Sequence, residues 1–221
     1  MPRVSRSRFQ RMAGLPGPFR CRLRMTKSTL SLWYLYRTSE LQQSGDTGST
    51  VASKSPSNRY GVEWANFYTP LEHLAFDFDL AYSKALFTTI DPDDAAPNGP
   101  GGKWVPEAAA LVISSGITVQ NYKGFWGSLR LRAFGPRNLT FDAIYQSSST
   151  ISVNAELGYH INEKWRVEAQ FFNLLNRYDH DIDYAYTSRI SPTATTAFTD
   201  VFHPVEPFQV RFALVRSFGT K

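Results

Sequence analysis

The feature that most constrains this chain is the order of its connections. Eight segments of strand character can be placed, at about 27–38, 58–69, 73–84, 108–121, 125–135, 149–161, 165–174 and 207–218. They alternate apolar and polar side chains, the period of a strand with one oily and one wet face. In "ISVNAELGYHINEKWRVEAQFFNLL", residues 151–175, Ile151, Val153, Ala155, Leu157, Tyr159 and Ile161 share a face. Ser152, Asn154, Glu156, Gly158 and His160 share the other. Three connections are tight: "PLE", "YKG" and "NEK". Four are long, at about 39–57, 85–107, 136–148 and 175–206, and short and long alternate strictly along the chain. In an up-and-down sheet alternate connections lie at the same end, so one end carries tight turns and the other long loops. A transmembrane barrel has that asymmetry. A soluble sandwich has no reason to sort loop length by parity.

Strand length points the same way. Ten to twelve residues is about what a tilted strand needs to cross a bilayer, and longer than the usual 5 or 6 of soluble proteins. Leu74, Phe76, Phe78, Leu80 and Tyr82 alternate with Ala75, Asp77, Asp79, Ala81 and Ser83. Aromatic residues, 14% of the chain, collect near strand ends: Tyr68, Tyr122, Tyr159 and Trp165 by the short turns, Tyr60 and Tyr82 toward the long loops. Tyr and Trp favour the boundary between lipid tails and headgroups. No apolar run approaches the roughly 18 residues of a membrane-spanning helix. The expected fold is all-β, an antiparallel up-and-down transmembrane β-barrel segment of about eight strands.

The formal charge of +5 belongs to one end. Residues 1–26 hold seven Arg and no acid; the remainder has 24 − 7 = 17 basic and 19 acidic side chains, a net charge of −2. A nucleic-acid surface needs its basic residues on the folded part, which argues against such a partner. The tail has no apolar core for a secretory signal, and "GLPGP" breaks the amphipathic helix of a transit peptide. It reads as a disordered N-terminal tail from a truncated or misassigned reading frame, with the barrel segment occupying 27–221. The single Cys21 lies in this tail, so no disulfide within one chain can form.

The last strand carries a further signal. In "PFQVRFALVRSF", Phe208, Val210, Phe212, Leu214 and Phe218 fall on one face, with Arg216 the exception. An alternating apolar strand ending in Phe is what bacterial outer-membrane barrels present to their assembly machinery, so these five residues are the candidate assembly signal. The stretches "SNRYGVEW", "GYHINEKWRVEAQFFNLLNRYDHDIDYAY" and "HPVEPFQVRFALVRSF" resemble the C-terminal barrel end of TonB-dependent receptors. Asn162, Trp165, Asn173, Leu174, Asn176 and Tyr178 fit that family's tight turn, penultimate strand and N-L-x-N-type exit. The resemblance covers about residues 27–218. It implies a Gram-negative outer-membrane location, lipid and the barrel-assembly machinery as partners, and a parent that takes up siderophores, cobalamin or a similar scarce ligand. Family members are several times longer, with a plug domain, a TonB-contacting segment and 22 strands. TonB is therefore expected to act only through the plug of a full-length parent.

The remaining chemistry is sparse. Asp179, His180, Asp181 and Asp183 crowd together, as do Asp91, Asp93 and Asp94, but neither group has the Gly-turned loop and distant Glu of a calcium site. Both read as solvated acidic loops. His73, His160, His180 and His203 form no ligand set in sequence, and Ser147, Ser148 and Ser149 lack a nucleophile-elbow context. No catalytic, cofactor or metal residues are expected, and the protein is not expected to be an enzyme. Asp77, Asp79, Arg130, Arg132, Glu156, Arg166 and Glu168 fall on the wet face, where charges are expected to pair across strands. The alternative to a receptor segment is a free-standing eight-stranded barrel serving as anchor or adhesin. The two differ in the interior: a small barrel packs it with side chains, and a wide one leaves it open.

Overall fold

The computed structural model describes residues 25–44, 49–53, 55–90, 102–189 and 191–218. The tail 1–24 with Cys21, and Asp91, Asp93 and Asp94, lie outside the described residues. Twelve strands follow in chain order: β1 Met25–Arg37, β2 Glu40–Ser44, β3 Ser49–Ser53, β4 Ser57–Leu71, β5 Leu74–Phe87, β6 Leu111–Tyr122, β7 Phe125–Phe134, β8 Thr150–His160, β9 Trp165–Phe172, β10 His180–Ser188, β11 Ala197–Pro204 and β12 Gln209–Arg216. Eight of them form one antiparallel sheet in the order β1-β4-β5-β6-β7-β8-β9-β12. These eight are the predicted strands, with ends moved by a few residues. The two differences are hairpins, β2–β3 and β10–β11, inside what read as long loops.

Register places every apolar stripe on the same face. The row through Leu80 runs Leu30, Trp64, Leu80, Ile113, Ala133, Ile151. The row through Phe76 runs Tyr68, Phe76, Ile117, Leu129, Ala155, Phe171, Val210. Because paired residues point the same way and the period is two, one slip would turn a whole strand over. Two polar residues on this face, Asn66 and Ser115, bond back to the β5 carbonyls of Phe78 (3.3 Å) and Asp77 (3.1 Å). Each thereby satisfies a donor that would otherwise face an apolar environment.

The tight turns have a local cause. Lys123 and Gly124 take φ of 53° and 87°, the left-handed pair of a two-residue hairpin turn, between paired Tyr122 and Phe125. At the next turn on that side, the Asn162 side chain accepts from the amides of Lys164 and Trp165, both at 3.0 Å. Such an Asx contact replaces a missing ladder bond.

Among the described residues no second layer covers the sheet. Each strand's packing is with its hydrogen-bonded neighbours. The buried apolar cluster is small, Ala85, Phe87 and Val105 with Ala108 and Phe141 against them, and lies at the long-loop end. Meanwhile Leu32, Trp64, Ile117, Leu129, Leu157, Phe212 and many like them stand exposed. A soluble sheet must bury its apolar face against another element. This one does not.

Candidate functional site

The polar face opposite is the first candidate. Its central feature is a row across three strands, Asp77, Gly116, Arg130. Arg130 Nη1 bonds Asp77 Oδ2 at 2.7 Å, although their strands are not neighbours. Farther along, Gln170 Nε2 donates to Glu156 Oε1 at 3.1 Å and Arg166 pairs with Glu168. Arg211 lies 5.3 Å from the centre of the Phe172 ring. Of the predicted wet-face charges, five are thus engaged on this face; Asp79 and Arg132 have no ion pair among the described residues. Two large rings also occupy the space over glycines, Trp33 over Gly61 and Trp126 over Gly158. A face so built can hold polar groups by hydrogen bonds and charge.

The long-loop end is the second. Glu40 is 2% exposed, and its carboxylate accepts from Ser57, from Arg59 (2.9 and 3.0 Å) and from Arg37 (2.8 Å). Burial alone would raise its pKa, but the Arg59 and Ser57 hydrogen bonds and the charges of Arg59 and Arg37 bring it below the ordinary range. This cluster ties the β2–β3 hairpin to the ends of β1 and β4. Nothing in the strand periodicity marks it.

At the β9 exit, Asn173 takes φ of 47° and is 4% exposed. Its amide nitrogen donates to the carbonyls of Arg177 and Glu206, both at 2.9 Å, and its oxygen accepts from Arg177 N at 3.1 Å. Asn176 Oδ1 accepts from Phe208 N at 3.0 Å. The two asparagines of the exit motif therefore fasten the loop to the start of β12.

The crowded acidic stretch is divided among structural tasks. Asp179 accepts from Arg177 and from the amide of Ile151 at 2.8 Å, and the Arg177 bond chiefly holds its pKa below the usual range, against the effect of burial. His180 pairs with buried Asp183 and stacks on Phe202, ring centres 3.5 Å apart. Among the described residues no group of three or more His, Cys, Asp or Glu is placed to hold a metal ion. Ser147 Oγ accepts from Arg137 N and donates to the Ser148 carbonyl, with no base beside it.

Between the loops after β5 and β7 lies a cleft of about 190 Å³, lined in part by Lys84, Trp104 and Arg137. In its wall region, burial pushes the Glu107 carboxyl up while Arg137 opposes it. The alternation marks Lys84 only as the residue where the apolar face ends.

The candidate assembly residues fall on and around β12. Val210, Phe212 and Leu214 lie on the apolar face opposite Phe171, Ala169 and Val167. Phe208 precedes the strand, and Phe218 follows it, 83% exposed with Arg216 4.7 Å from its ring centre.

A sheet of this order and one-sided character has counterparts of known structure. The chain aligns with the ferric-catecholate import receptor Fiu from E. coli K12 at 16% identity and a TM-score of 0.58, over 90% of this chain and 26% of the receptor. It aligns with the copper transporter OprC at 14% identity and a TM-score of 0.60, over 87% and 30%. The ferric yersiniabactin uptake receptor FyuA from Yersinia pestis follows at 12% and 0.57, over 87% and 35%. The fold is that of a TonB-dependent receptor barrel. The chain spans about a quarter to a third of the length of these import receptors and this transporter. No sequence-family model matches the chain, and no curated protein matches it by sequence.

Proposed function

We propose that the chain is an outer-membrane barrel segment of a TonB-dependent receptor that takes up a siderophore, cobalamin or a similar scarce ligand in a Gram-negative bacterium. The observation that carries this reading is the single-layer sheet whose apolar face has no cover among the described residues. An apolar surface of that extent marks a membrane or a protein interface, the strand lengths and loop parity favour lipid, and a β-sheet can occupy lipid only as part of a closed barrel. Residues 208–218 then serve as the signal to the assembly machinery. TonB acts through the plug of the full-length protein. The named relatives handle ferric catecholates, copper and ferric yersiniabactin, which supports an import role without selecting a ligand.

The polar face supports a wide barrel over a free-standing eight-stranded one. Arg130, Trp33 and Trp126 lie along the sheet over glycines, where a narrow barrel would fill its interior with inward-packed side chains. The test is expression in a Gram-negative host, where the sheet enters lipid by pairing its edge strands β1 and β12 with each other or with those of further copies. The product should sediment with the outer membrane and show heat-modifiable mobility on gels. Recovery as a soluble, heat-insensitive protein would overturn the reading.

A further inference from the structure

On the apolar face of β5 the run Leu74, Phe76, Phe78, Leu80, Tyr82 ends at Lys84. Ten residues of strand rise about 34 Å, or about 24 Å along the membrane normal at a tilt of about 45°. That matches the apolar band of an outer-membrane barrel, about 25 Å tall. Lys84 therefore stands at its upper border, on the long-loop side. Tyr34, Tyr60 and Lys84 share one cross-strand row, with Tyr82 just below. These are the aromatic rings expected at headgroup level.

The structure holds two cations at this border. The Lys84 ammonium sits 4.7 Å from the centre of the Trp104 ring, which fixes its position by a cation–π contact. Trp104 is itself tied to β5 through its bridge to Leu86. Arg137, two residues past Gly135, lines the same cleft, together with Tyr82, Asn138 and Gln146. Among the described residues neither Lys84 nor Arg137 takes part in an ion pair. Glu107 is within Coulombic reach of Arg137 and offsets part of its charge. A cleft lined by two cations and by the Asn138 and Gln146 amides, Gln146 Nε2 donating to Asn138 Oδ1 at 3.2 Å, beside an aromatic girdle, has the chemistry that receives a phosphate.

We propose that this cleft binds the phosphate headgroup of an outer-leaflet lipid, with Lys84 and Arg137 as its charge partners and Tyr82 against the first part of the acyl region. It rests on the membrane reading above. The lipid would pin the loops after β5 and β7 to the bilayer surface.

The full chain, folded into phosphatidylcholine vesicles, is compared with the same chain in phosphatidylcholine containing phosphatidic acid. Heat-modifiable mobility reports insertion, and native mass spectrometry of detergent extracts reports retained phosphatidic acid. Lys84→Gln and Arg137→Gln should each lower the apparent affinity about fivefold. Arg132→Gln, a cation of the opposite face, should leave it unchanged. Lys84→Arg and Arg137→Lys should retain binding; if they lose it as the Gln variants do, the effect is structural and the proposal fails. Insertion with equal retention by all variants would overturn the lipid site alone. Displacement of the lipid by equimolar inorganic phosphate would show a free-phosphate site and also overturn it. Failure to enter either vesicle would remove the membrane reading and this proposal together.

Discussion

Arg130 reaches Asp77 across an intervening strand because the residue between them, Gly116, has no side chain. A Cβ built at Gly116 would stand 2.7 Å from Arg130 Nη1 and 2.8 Å from Asp77 Oδ1. The glycine is thus a steric requirement of the ion pair. Arg130 is close to half exposed, so the pair itself contributes no more than about 1 kcal/mol. Gly116→Val should cost more than Arg130→Gln, because it forces both side chains off the sheet. In the Arg130→Ala background the same valine should become far cheaper. A thermodynamic cycle read by urea unfolding in detergent checks this, and additive effects would show that Gly116 serves the backbone and not the pair.

A second expectation concerns Asn173. Its amide satisfies two backbone carbonyls, Arg177 and Glu206, from a buried, left-handed position. Asn173→Ala leaves both acceptors without that donor and removes a residue type that tolerates φ above zero. The loss should be about 1 to 3 kcal/mol, taking about 0.5 to 1.5 for each of the two hydrogen bonds to a carbonyl. Protease cleavage between Asn173 and Phe208 should appear before any loss of β4–β7. If cleavage there is unchanged, the hub does not hold the loop.

What the sequence disclosed follows from what periodicity can carry. The eight long strands are legible because one face is continuously apolar, and a two-residue period then survives over 8 to 15 residues. The hairpin β10–β11 also alternates, through Ile182, Tyr184 and Tyr186, but its neighbouring acids read as a solvated loop. Glu40 was not legible at all: its partners Ser57 and Arg59 lie 17 and 19 residues away. Asp77 and Arg130 were legible as wet-face charges, yet not as a pair, since the strand between them had first to be placed. Asn173 and Asn176 were visible only through a family pattern; their hydrogen bonds give that pattern its physical reason.

Acid should loosen the β2–β3 hairpin before the sheet. The Glu40 pKa is lowered in the folded state, so its contribution is complete above its ordinary pKa of 4.5 and is lost as the pH falls through the lower folded value. Below that value a neutral acid faces Arg59 and Arg37. Amide exchange of residues 40–44 and 49–53, corrected for its intrinsic pH dependence, should rise in this window while β5–β8 stay protected. Glu40→Gln should show the raised exchange at neutral pH and no further change on acidification. Uniform exchange across the sheet, with no difference between the variants, would mean that the cluster does not latch the hairpin.

The apolar face offers the sharpest separation between a membrane sheet and a soluble one. Phe78 lies in the middle of β5, with Trp64 beside it edge to face, ring centres 5.9 Å apart, and among the described residues no second sheet packs on it. Its neighbour Asp79 points to the polar face. In a bilayer, Phe78→Arg sets a guanidinium near the middle of the hydrocarbon and should cost about 2 to 4 kcal/mol, plus the lost contact with Trp64. Asp79→Arg, one residue along, should cost little, because that face meets water. In water Phe78, half-buried on an uncovered face, could be replaced by Arg at little more than the lost contact with Trp64. Reversible folding into lipid vesicles, followed by tryptophan fluorescence, measures both variants on one scale. Equal, small costs at 78 and 79 would mean that Phe78 does not face lipid, and the membrane assignment of the whole apolar face would fall with it.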